Sequence, residues 1–319
     1  SYGPVPTVVI AWRPRPGVPL RSLHPFEERE RAGVTVDSAG GGFVGEDTAL
    51  LGATAVRERA MSGGRVSLFL PEGVEPRRPP GTVLDHLERA DDRLPGAGSG
   101  GPTRLVVLPA SVRPGGATYV DSREGWVNAG SPLRVADNVW LHEFVHARQP
   151  TDLGPRMRWY REAAAEYFAA RLALETGLTA GPTFADHIGG PGRPSGVLAD
   201  PATWADERTP YARGARVLAA LDRTIRRRSG GERSLFDVAD RLSDREGPLT
   251  FDVFERAVSA AAGTDMSPWL AATVAGTRPV SASRPEPGSI EGGSRFEIPV
   301  SIALVGLATV GRLWPRSGG

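Results

Sequence analysis

The sequence predicts an α+β protein in which a mixed β-sheet lobe precedes a helical lobe, with a β-rich segment ahead of both. Three observations predict it. To about residue 130, short apolar or alternating runs are separated by Gly and Pro, which is strand patterning. From about Arg134 onward apolar residues recur at helical spacing. A Pro/Gly/Ser-rich stretch, residues 277–295, then separates this body from an apolar tail, 296–319. The expected organisation is an N-terminal segment over 1–64, a main domain over 65–276, a linker and the tail.

Taken in order, VPTVVIAW (Val5 to Trp12), Gly33 to Asp37 and RVSLFL (Arg65 to Leu70) read as strands. Thr82 to Leu94 places Val83, Leu84, Leu87 and Leu94 close to helical spacing. RLVVL (Arg104 to Leu108) reads as a buried strand and Ala117 to Val120 as another. The predicted helices of the second lobe are Val135 to Arg148, Pro155 to Thr176, Tyr211 to Arg227, Ser234 to Ser243 and Phe251 to Ala262. The Arg226 to Arg228 run ends one of them, where cations favour the helix dipole.

Composition closes several chemistries. The 319 residues include no Cys, and all 38 cations are arginine. Without lysine there is no phosphate-loop lysine and no Schiff base. Without cysteine there is no thiol nucleophile, disulfide or thiolate metal site, so a metal would need nitrogen and oxygen donors. Thirty-eight basic against 37 acidic residues leave no polyanion-binding balance, and no nucleic-acid partner is expected.

The tail contains IPVSIALVGLATVG, a charge-free run of 14 residues from Ile298 to Gly311. That is short of the ~20 residues of a spanning helix, but Arg312 can snorkel and Trp314 can sit at an interface. Together with the stalk-like linker it predicts a C-terminal membrane anchor, with Arg312 and Arg316 inside and the main body outside, so an extracellular or cell-envelope location. The alternative is a buried terminal strand or helix.

The five histidines are the place to look for a site. His142, Glu143 and His146 form HEFVH inside the apolar helix VWLHEFVHA. Residues four apart on a helix lie about 40° apart around its axis, so both imidazoles leave one face a turn apart and can share a metal. Glu143 is placed to reach a water on that metal without ligating it. An open site needs a third protein ligand. In the next helix, WYREAAAEYF (Trp159 to Phe168) resembles the W-x-x-E-G-x-A-x-Y segment of the gluzincin metallopeptidases, such as the aminopeptidase N family. Trp159, Glu162, Ala165 and Tyr167 match it in type and spacing.

That resemblance implies one Zn2+ held by His142, His146 and Glu162. Glu166 follows Glu162 by one helical turn, so it shares the metal-facing side and is a candidate to orient a ligand histidine, the alternative being a solvated surface charge. Two departures stand out. Ala163 replaces the usual glycine, and 15 residues separate His146 from Glu162 where that family has eighteen. Glu166 as the ligand would give nineteen, the thermolysin spacing, and remains the alternative. Further on, PYARGARVLAAL (Pro210 to Leu221) resembles the family's P-Y-x-K-G-x-x-x-L segment, with Arg213 at the lysine position, and implies that Tyr211 stabilises the tetrahedral intermediate. Upstream, Gly115 to Val120 (GGATYV) occupies the place of the edge strand that runs antiparallel to bound peptide in gluzincins, which makes Gly116, Ala117 and Thr118 substrate-binding candidates. The G-x-M-E-N motif that binds the α-amine in aminopeptidases is missing. GGATYVDSREGWVN offers Glu124 and Asn128 without that pattern.

The resemblance therefore implies a zinc metallopeptidase acting on peptides or proteins, an endopeptidase before an aminopeptidase. The competing reading is a surface binding module with a structural or degenerate zinc site. His24, His86 and His187 are read as structural or surface residues, His187 as part of a loop.

Overall fold

The computed structural model describes residues 23–25, 42–94, 101–190, 195–243 and 247–280. The strands expected over Val5 to Trp12 and Gly33 to Asp37, the linker beyond residue 280 and the apolar tail lie outside the described residues. Among the described residues no helix is long and apolar enough to cross a membrane.

Three short strands, β1 (Leu23–Pro25), β2 (Gly42–Val44) and β3 (Thr48–Leu51), form an antiparallel sheet in the order β1-β3-β2. Next come β4 (Thr54–Met61) and β5 (Gly64–Pro71), then helix α1 (Pro80–Asp91), then β6 (Thr103–Leu108), β7 (Gly116–Tyr119) and β8 (Glu124–Asn128). These five strands make one mixed sheet in the order β4-β5-β6-β8-β7, with β5, β6 and β8 parallel and both outer strands antiparallel to their neighbours. β7 is thus an edge. β4 was not legible as a strand because TAVRERAM is exposed or half-buried along its length and has no apolar face. β8 was hidden by its brevity and by Gly125.

Each face of the five-stranded sheet has its own apolar cover. On one, Phe43 and Leu50 pack against Val106 and Leu108, with the Phe43 and Phe69 rings stacked 4.2 Å apart. The buried carboxylate of Glu124 fastens the small sheet there: it accepts the backbone N–H groups of Glu46, Asp47 and Thr48 at 2.8 to 3.0 Å and the Thr48 hydroxyl at 3.1 Å. A Cβ at Gly45 would sit 2.1 Å from that carboxylate, so glycine is required at the turn.

The other face meets the helical lobe. It comprises α2 (Val139–His146), α3 (Arg158–Glu175) after a 3-10 turn at Pro155–Met157, and α4 (Gly181–Gly189). A π-helical turn, Pro210–Gly214, leads into α5 (Ala215–Arg228), followed by α6 (Leu235–Ser243), α7 (Phe251–Ala262) and α8 (Ser267–Thr273). The α+β order expected from the sequence is the observed one. α2 starts four residues later than its apolar pattern, because the side chain of Asn138 caps it by accepting the Leu141 N–H. The helix expected from Tyr211 begins with the π-helical turn instead. Neither α4 nor α8 was expected, since both are shorter than the windows in which helical periodicity shows.

α3 runs through the centre of the lobe, and Trp159, Ala163, Ala165, Leu172 and Ala173 are fully buried on it. Its alanines let neighbouring helices approach closely. A Cβ on Gly214 would lie 2.5 Å from the Cβ of Ala163, so a methyl is tolerated at 163 because none is present at 214. Substituting Gly214→Ala is expected to cost about 1–3 kcal/mol by overpacking, read as a lowered melting temperature.

Candidate metal centre and cleft

α2 and α3 cross so that their functional side chains converge. His142 Nε2 and His146 Nε2 are 3.1 Å apart, and one oxygen of Glu162, Oε2, lies 3.5 Å from the first and 3.3 Å from the second. A tetrahedral ion with bonds of ~2.0–2.1 Å holds its ligand atoms about 3.3 Å apart. The three atoms already stand on that triangle. Glu162 Oε2 is moreover a buried oxygen with no well-formed hydrogen bond, the state of an acceptor whose partner is a cation. His142, His146 and Glu162 form the cluster that could hold a metal ion among the described residues.

The outer nitrogens of both imidazoles are engaged. His146 Nδ1 donates to Gln149 Oε1 at 3.2 Å, and Gln149 is itself fixed by donating to the Arg161 carbonyl at 2.7 Å. His142 Nδ1 lies 3.3 Å from Glu166 Oε2. Both rings therefore turn Nε2 to the centre. Glu166 stands behind His142 rather than beside Glu162, and its other oxygen is 2.8 Å from His187 Nε2. His187 is on α4, not in a loop. The reading as a loop missed Pro182 at the helix start and the glycines at its end, which together mark a short helix. Gln149 carried no signal beyond lying three residues after His146.

Glu143 is buried on the adjacent side of α2. Thr118 of edge strand β7 donates to Glu143 Oε2 at 2.9 Å, while a Cβ on Gly116 would be 2.6 Å from Glu143 Cγ. β7 thus carries a glycine where the carboxylate passes and a hydroxyl where it binds. Gly115 O accepts the Asn128 N–H across the β7–β8 pair, and by antiparallel alternation the backbone polar groups of Gly116 and Thr118 face the open edge. Ala117 faces the other way in the pleat. We expect Gly116→Ala to displace Glu143 and to lower turnover while leaving metal binding intact, measured as activity against zinc content.

Tyr211, at the π-helical turn, lays its ring parallel to that of His142, with 7° between planes and 6.0 Å between centroids. Arg213 donates to the carbonyls of Thr273 and Gly276 at the end of α8 and does not line the cleft. A cleft of about 810 Å³ opens along Gly115, Gly116, His142, Glu143, His187 and Tyr211.

The electrostatics are those of a cation site. Burial disfavours a charged His142, but the facing carboxylates of Glu162 and Glu166 overcome it and raise its pKa to about 10. Burial likewise acts against ionised Glu162 and Glu166; the facing imidazoles win, holding Glu162 well below the usual carboxylate range and Glu166 at about 2. The carboxylates that favour a proton here also favour a cation bound in its place. Burial pushes Glu143 up, with the imidazoles and Thr118 pulling against it. Burial and the neighbouring Glu162 carboxylate raise the Tyr211 phenol, so it stays protonated.

No protein-family model and no curated protein matches the chain. Solved structures do. An aminopeptidase N family protein from Idiomarina loihiensis superposes with a TM-score of 0.58 at 16% identity, covering 73% of this chain and 49% of that one. An M1 zinc metallopeptidase from Deinococcus radiodurans gives 0.55 at 18%, covering 78% and 62%. The fold is gluzincin-like. A variant of the Deinococcus enzyme bound to a Tyr-Ser-Ala substrate matches equally, at 17% identity with a TM-score of 0.55, covering 79% of this chain and 63% of that one. The chain thus spans from half to under two thirds of these gluzincin-like structures.

Proposed function

We propose that this chain is a zinc-dependent metallopeptidase that hydrolyses peptide bonds within polypeptides. The observation that carries the reading is the triangle of His142 Nε2, His146 Nε2 and Glu162 Oε2, spaced as the ligands of one tetrahedral ion. When bound, zinc supplies Lewis acidity that polarises a carbonyl and acidifies water. The chain's own groups do the rest. Thr118 occupies Glu143 Oε2, leaving Oε1 to accept a proton from the attacking water and return it to the departing nitrogen. The Tyr211 hydroxyl, kept protonated, donates to the oxygen on which negative charge develops. The free edge of β7, through Gly116 and Thr118, aligns the substrate backbone.

We favour cleavage within a chain over removal of N-terminal residues because the one carboxylate carried by strands β7 and β8, Glu124, is already occupied and not available to an α-ammonium. Glu124 is spent on the turn at Glu46 to Thr48, and Asn128 on the carbonyls of Pro109, Val112 and Arg113. The aminopeptidase reading draws its support from the solved structures that the chain resembles, among them an aminopeptidase N family protein. A peptide library with free and acetylated N-termini separates the two: acetylation is expected to leave cleavage within a few-fold, and its abolition would establish the aminopeptidase instead. Stoichiometric zinc with no cleavage of any peptide would favour the binding module. An extracellular or cell-envelope location is part of the proposal, resting on the apolar run Ile298 to Gly311 with Arg312 and Arg316, and protease accessibility on intact cells tests it.

A further inference from the structure

Glu166 is held at both ends. Its Oε2 faces His142 Nδ1 at 3.3 Å and its Oε1 faces His187 Nε2 at 2.8 Å, the shorter contact being the outer one. The three side chains are 15%, 18% and 21% exposed, shielded enough for these contacts to count. A carboxylate with one partner can still rotate about its last bond. A second partner on the opposite oxygen fixes its plane, and with it the ring that the first oxygen touches. His187 is also anchored from behind: Arg216 of α5 donates to the carbonyls of Ile188 and Gly190, which close α4. α4 and α5 thereby hold a residue that acts on α2 through α3. Both His187 and Arg216 line the same cleft as His142 and Tyr211.

We propose that His187 is a positioning residue of the metal centre, acting through Glu166 to orient His142 and so to set the affinity and geometry with which a divalent cation is held. The proposal rests on the zinc reading given above. It assigns a role to a histidine that the HEFVH and WYREAAAEYF segments do not include, and it makes one wall of the cleft part of the metal's support.

The test measures zinc affinity by competition with a chromophoric chelator, and the visible bands of the cobalt-loaded protein, in the full chain and in His187→Leu and His187→Gln. Glutamine places an N–H donor where His Nε2 stands; leucine places none. His187→Leu is expected to weaken zinc about tenfold, the lower end of the range for outer-shell partners because it acts one bond further out, and to shift the cobalt bands. His187→Gln should restore most of both. If His187→Leu does not fold, His187→Asn, too short to reach Glu166, takes its place. Wild-type affinity and cobalt bands in the variant that lacks the donor would overturn the role of His187 alone. A wild-type chain that binds no zinc would overturn the zinc reading and this inference with it. An equal loss in the leucine and glutamine variants would show a merely structural histidine and also overturn it.

Discussion

Replacing Glu143 by glutamine is expected to leave zinc bound and to lower peptide hydrolysis by about 10³-fold, within the range for removal of a general base. The substitution is nearly isosteric. The amide oxygen can still accept from Thr118, which now meets Glu143 Oε2 at 2.9 Å, so the edge strand and α2 should stay in register. The loss is the basic oxygen beside Gly116, which would accept a proton from the attacking water and return it to the departing nitrogen. Because Glu143 is outside the triangle of His142, His146 and Glu162, metal content should not follow activity down. Metal analysis and turnover on one preparation check this, and full activity in Glu143→Gln would sink the assignment.

The second large effect separates the two glutamates of α3. Glu162→Gln is expected to strip the site of zinc at micromolar metal, because the amide removes the negative charge from the side chain whose Oε2 faces both imidazoles at 3.3 and 3.5 Å. Glu166→Gln should retain zinc with an affinity lowered about 10–100-fold, the cost of an outer-shell partner. Equilibrium dialysis of both variants decides the matter. If Glu166→Gln is the variant that loses the metal, the thermolysin-like spacing was the correct one and the ligand assignment is reversed.

Much of the site is legible in the sequence. The HEFVH histidines needed only the helical repeat, and the match of Trp159, Glu162, Ala165 and Tyr167 to a family segment pointed to the next helix. The two departures from that segment acquire physical reasons in the fold. Ala163 is accommodated by the absent side chain at Gly214, and Arg213 is tied to carbonyls at the end of α8 rather than to the cleft. Thr118 was expected as a substrate-binding residue of the edge strand; its hydroxyl is also the partner of Glu143. His187 was read as an ordinary loop residue because a nine-residue helix ending in two glycines gives periodicity little to work with. Gln149 was missed for another reason, that a neutral amide near a histidine carries no spacing rule at all.

By itself the sequence determined the chemistry available and the local geometry of each helix: no thiol, no amine, two imidazoles on one face, and a carboxylate beside the first of them. Those follow from composition and from the 3.6-residue repeat, which act within one element. Only the tertiary structure decided which glutamate completes the triangle, which one braces His142, and that a histidine from α4 braces it in turn. Those depend on how closely α2, α3, α4 and α5 approach, and that distance is set by packing between side chains far apart in the chain, such as Ala163 against Gly214.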